Sequence, residues 1–186
     1  MKHLLQALGV TVAVAVGLLS APASAQFLGH TVSADYEWPD LGTVLYASGD
    51  AVVDSGVEFD NIGSFGVGNS PTVDFSEANV VIEYVGGWTL SGTGSFDGWV
   101  LTDLAADIND VSLAGTNIAG FTLADISFDS NHIYVNTVGL GPGFDPHSFI
   151  SIDVGFGAAQ VPEPGTLALM LAGLGFLARR SRSKSA

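Results

Sequence analysis

Four oxygen-bearing side chains, Asp103, Asp107, Asn109 and Asp110, fall within eight consecutive residues. Carboxylate and amide oxygens at that density are hard ligands, and the ion they suit is calcium. The set departs from an EF-hand loop, however. Counted from Asp107, the fifth and sixth positions are Val111 and Ser112, and no Glu closes the loop at the twelfth. Asp50 with Asp54, and Asp125 with Asp129 and Asn131, are looser sets of the same kind. Calcium is the only cofactor the sequence raises. His30, His132 and His147 are too scattered to argue for zinc or copper, and His132 is expected in a hairpin loop.

Other chemistries leave fainter traces. No Gly-x-Ser-x-Gly is present, so nothing marks a nucleophile elbow. A glycosidase needs two facing carboxylates, one of them with a raised pKa. Acids are plentiful but the sequence singles out no pair, and no catalytic residue is expected. Aromatic side chains offer a third possibility, a flat platform for sugar rings. Trp38, beside Pro39, is the best exposed candidate, with Tyr36 as its neighbour, whereas Trp99 reads as core.

These residues must be held by strands. Val32, Ala34 and Tyr36 alternate with polar residues, as do Val80, Ile82 and Tyr84, and then Ile150, Ile152, Val154 and Phe156. Period two is the signature of half-buried strands. Ala124 to Phe128 and Ile133 to Asn136 flank the polar turn Asp129–His132 and predict a hairpin. Trp88-Thr89-Leu90 and the run from Phe96 to Leu101 predict another, and residues 101–108 hint at one helical turn. Eight to ten short strands and no convincing helix imply an all-β fold: a single antiparallel β-sandwich, jelly-roll or immunoglobulin-like.

Charge narrows the function. Of 186 residues, 19 are acidic and five are Lys or Arg, and there is no cysteine. The cations are Lys2, Arg179, Arg180, Arg182 and Lys184, so residues 26–160 contain none, while every acid except Glu163 lies there. A domain without cations cannot neutralise phosphates, which excludes nucleic acid as a partner. Its carboxylates must be solvated, bonded to backbone amides or paired with external cations. Disulfides and thiolate chemistry are excluded as well.

The ends are of another character. Lys2, an apolar run to Leu19 and a small-x-small site at Ala23 and Ala25 form a secretory signal peptide, with cleavage expected before Gln26. At the other end, Val161, Pro162, Glu163, Pro164 and Gly165 precede the charge-free apolar residues 166–178, and then Arg179, Arg180, Arg182 and Lys184. Thirteen apolar residues fall short of the roughly 20 that span a bilayer comfortably. The segment therefore reads as a short transmembrane anchor with its basic end in the cytoplasm. Pro162 and Pro164 favour extended backbone, which a protease can grip.

This order of motif, apolar run and Arg cluster resembles the PEP-CTERM sorting signal of Gram-negative bacteria. The resemblance covers about the last 25 residues. It implies recognition by an exosortase, a membrane cysteine transpeptidase that cuts at the motif, in organisms that export polysaccharide. The organisation expected is a signal peptide (1–25), an acidic β-sandwich domain (26–160) and a sorting segment (161–186). Signal peptidase, exosortase and, transiently, the inner membrane are the expected processing partners. The destination is the cell surface or the extracellular exopolysaccharide matrix of a biofilm. A non-enzymatic structural or adhesive role is the first expectation; a carbohydrate-binding module and a glycan-active enzyme are the alternatives.

Overall fold

The computed structural model describes residues 26–60, 62–63, 71–89, 93–105 and 108–157. Alternating apolar residues draw these segments into antiparallel strands, each burying one row of side chains. β1 (Thr31–Glu37), β2 (Val44–Tyr46), β3 (Ala51–Val52), β4 (Pro71–Phe75), β5 (Asn79–Tyr84) and β6 (Trp88–Thr89) make the first half. β7 (Gly98–Asp103), β8 (Ile108–Thr116), β9 (Ile126–Phe128), β10 (His132–Asn136), β11 (Gly143–Phe144) and β12 (Ser148–Phe156) make the second.

One sheet runs β2-β1-β7-β10-β9, with β3 also paired to β1, and another runs β4-β5-β12-β8. β6 and β11 form a two-stranded ribbon. Val32, Ala34 and Tyr36 of β1 join Trp99 and Leu101 of β7 and Ile133 and Val135 of β10 in one apolar cluster. The same cluster takes in Val73 and Phe75 of β4, Ile82 and Tyr84 of β5, and Ile150, Ile152 and Val154 of β12. The inner rows of both larger sheets thus share one core. Burial of each large side chain in it contributes about 1.5–3 kcal/mol.

Gly98 illustrates how closely the strands approach. A β-carbon there would run into the carbonyl oxygen of Val135 on β10, so only glycine lets β7 sit between β1 and β10 at this point.

Three expectations are corrected. Residues 101–103 belong to β7 rather than to a helical turn, because Leu101 faces the core and pairs with both Ala34 and Ile133. The helical turn lies instead at Leu123–Asp125, a 3-10 turn capped reciprocally by Thr122 and Asp125. Trp88–Thr89 does not form a hairpin with the strand that follows it; it pairs with Gly143–Phe144. The described residues also hold twelve strands where eight to ten were expected, since the two-residue strands β3, β6 and β11 are too short to show a period.

Candidate functional site

The oxygen-rich set around Asp103 is split by the strand it sits on. Asp103 ends β7 on the inner face and is 1 % exposed; its carboxylate meets His30 Nδ1 at 2.8 Å and accepts the Ala105 amide at 2.9 Å. Asn109 and Asp110 are exposed on β8, and Asp110 accepts the amide of Val111. Asp107 lies outside the described residues. Among those described, no group of three or more His, Asp or Glu is gathered as metal ligands.

Tyr36 is not available to a sugar. It is 2 % exposed, because the alternation that buries Val32 and Ala34 carries it inward too. Its hydroxyl donates to Asp97 at 2.5 Å and accepts from Trp88 Nε1 at 3.3 Å. Its ring stands edge-on to Trp88 and Trp99, with centroids 5.1 and 5.0 Å away. Trp99 Nε1 donates to the Tyr84 hydroxyl at 2.9 Å, and Tyr84 packs on Phe144 at 4.8 Å. Burial, then Tyr84, then the Asp97 hydrogen bond hold the Tyr36 phenol far above its ordinary range. Burial does the same to Tyr84. Trp38 is half-buried against the core, follows Tyr36 by two residues into a cis Trp38–Pro39 bond, and donates its indole N–H to Thr93 O at 2.9 Å.

The acids find partners in a way the charge count anticipates. Backbone amides are bound by Asp35 from Ser48, Glu37 from Gly42, Asp54 from Gly56, Glu58 from Phe75 and Asp125 from Thr122. Histidines face three more acids: His30 with Asp103, His132 with Asp129 and His147 with Glu83, at 2.8 to 2.9 Å. Residue types alone could not show the first and third pairs, which join residues 73 and 64 positions apart.

Asp129 is the local exception. It folds back in the β9–β10 turn to accept the amides of Asn131 and His132, His132 Nδ1 and the Tyr134 hydroxyl. The Asn131 amide leads in holding this carboxyl well below the usual carboxylate range, with Tyr134 and His132 adding to it. Tyr134, through burial and then Asp129, is pushed up to about 12. His132 and Tyr134 stack on each other, centroids 5.7 Å apart, so each ring turns one face to the other instead of to solvent.

The chain's two described ends meet. Phe27, 1 % exposed and adjacent to Gln26, packs edge-on against Phe156 at the end of β12, with centroids 4.8 Å apart, and against Phe75 at 5.2 Å. Its amide donates to Glu77 O. Four residues, 157–160, separate Phe156 from Val161. The motif Val161, Pro162, Glu163, Pro164 and Gly165, the cations Arg179, Arg180, Arg182 and Lys184, and Ala23 and Ala25 lie outside the described residues. No helix among the described residues is long and apolar enough to cross a membrane.

Comparison with known proteins identifies one segment: residues 160–184 match the PEP-CTERM protein-sorting motif. That motif implies export, processing by an exosortase and a cell-surface or extracellular destination. No curated protein and no solved structure matches the chain.

Proposed function

We propose that this exosortase-targeted chain delivers a non-enzymatic structural or adhesive domain to the cell surface or exopolysaccharide matrix. The domain is a single antiparallel β-sandwich over residues 26–160. It is freed from its signal peptide at Ala25 and held transiently in the inner membrane by residues 166–178. Solvated carboxylates, bridged by divalent cations such as calcium, would join it to acidic sugars.

The observation that supports a non-catalytic role is how its reactive side chains are used. The three described histidines each face a carboxylate, and the buried Asp97 and Asp103 hold Tyr36, His30 and a backbone amide in place. A general acid or base needs a proton path to substrate, and these groups are engaged in holding turns and loops to the strands beside them.

The test is cosedimentation of the exported protein with host exopolysaccharide, with and without calcium, while reducing ends are assayed. Calcium-dependent retention without release of reducing ends is expected. Release of reducing ends would replace this reading with a glycan-active enzyme, and retention independent of calcium would favour a carbohydrate-binding module. Mass spectrometry of the native C-terminus, with and without the exosortase, checks the processing step.

A further inference from the structure

β12 runs Ser148–Phe156 and points its C-terminal end at the pole where β1 begins, since Phe156 packs edge-on against Phe27. Both chain ends therefore leave one pole. β7 ends and β8 begins there as well, because Phe156 pairs with Ile108 and Leu104 N donates to Thr31 O. Large apolar side chains stand exposed at this pole, Leu28 at 46 % and Leu104 at 62 %, together with Val52 at 61 % beside Thr31 and Phe128 at 42 % next to Asp129. The opposite pole carries its own, including Leu41 at 55 % in the β1–β2 turn, so exposure alone does not distinguish the two.

Chain length does. Nine residues, 157–165, separate Phe156 from the apolar run that begins at Thr166, which bounds their separation at about 35 Å of fully extended chain. The nine residues of β12 place the opposite pole roughly 30 Å further away. The near pole can rest on lipid well within that bound. The far pole could do so only if nearly the whole of that length ran back along the domain.

Resting on the membrane-anchor reading above, we infer that the pole bearing Leu28 and Leu104 lies against the outer surface of the bilayer while the tail is attached. Its occupant is the zwitterionic lipid interface. Asp54, Glu77, Asp110 and Asp129 ring the same pole, so anionic headgroups would repel it at low salt. The opposite pole, with Leu41 and Trp38, then faces away from the cell.

The chain has no cysteine, so a single introduced one can be labelled cleanly. Leu28→Cys, Leu104→Cys and Leu41→Cys are made in the exported chain with its tail intact, labelled with bimane and floated with phosphatidylcholine vesicles carrying a headgroup spin label. Quenching several-fold stronger at positions 28 and 104 than at 41 is expected, with less quenching when phosphatidylglycerol is added at low salt. Equal quenching at all three positions, or stronger quenching at 41, overturns the inference while leaving the anchor standing. Shielding of 28 and 104 from a water-soluble quencher without lipid quenching would mean that protein covers the pole, and overturns the lipid assignment. Failure to float overturns the anchor reading and the inference with it.

Discussion

The two poles of the domain are built from different aromatic residues. At the end where the chain enters and leaves, Phe27, Phe75, Phe156 and Phe59 meet edge to face with no polar atom on their rings. At the other end Tyr36, Tyr84, Trp88 and Trp99 interlock through hydroxyl and indole groups that reach Asp97. Both aromatic clusters fill volume, but only the second carries polar atoms on its rings that must each find a partner, because an unpaired one would lose its water without compensation. Among the described residues no buried side-chain polar atom lacks a hydrogen bond. The phenylalanine rings can shift without breaking a hydrogen bond of their own; the tyrosine and tryptophan rings cannot.

Substitutions put numbers on this contrast. Trp99→Ala should be the most damaging, about 3–5 kcal/mol, since it empties the centre of the core and removes the donor to Tyr84. Urea denaturation of the exported domain measures it. Phe27→Ala should cost about 3 kcal/mol, because Phe27 precedes β1 and the loop that carries it can settle into part of the cavity. If Phe27→Ala proves the worse of the two, the contrast between the poles is wrong. Tyr36→Phe keeps the ring and removes a hydroxyl bonded on both sides, for about 1–3 kcal/mol. A comparable loss from Phe27→Tyr, which introduces an unpaired hydroxyl into the other pole, would sharpen the distinction.

Alkali should act on one pole before the other. Tyr36 and Tyr84 have phenol pKa values raised in the fold, so the stability they contribute is complete below the unfolded value of about 10 and drains away as pH rises beyond it. Tyrosinate absorbance followed alongside far-ultraviolet circular dichroism should show Tyr36 and Tyr84 ionising only as the strands are lost. Ionisation of all four tyrosines near pH 10 with the fold intact would contradict their burial.

Much of this was legible in the sequence, and what was not has a physical reason. Strict alternation located β1, β5 and β12, because a sheet with one buried face writes its period directly into the chain. The same alternation carries Tyr36 inward with Val32 and Ala34, a signal that the expectation of a sugar platform at Tyr36 left unused. The absence of cations from residues 26–160 left solvation, backbone amides or external cations as partners for the carboxylates, and Asp35 and Glu58 take backbone amides. The partner of β6 was illegible, since pairing Trp88 with Phe144 is decided by the closure of the fold and not by neighbouring residues. The capping box at Thr122 and Asp125 was a readable signal for the 3-10 turn. The sorting segment was legible because its order of motif, apolar run and basic residues is read directly along the chain.

The smallest effect concerns a turn rather than a pole. Asp129 binds two amides, a histidine and a tyrosine hydroxyl, and its pKa is depressed in the fold. Its contribution is therefore complete above the unfolded value of about 4 and is lost as pH falls towards the folded one. The side chain is half exposed, so solvent screening keeps the total modest, and Asp129→Ala should cost about 1 kcal/mol at neutral pH. The variant should lose less stability than the parent on acidification below pH about 4, since the parent alone must protonate this carboxyl. Parallel acid titrations of parent and variant by intrinsic fluorescence measure the difference. Curves that stay the same distance apart down to the acid limit would mean that Asp129 holds the turn by shape alone, with its charge contributing nothing.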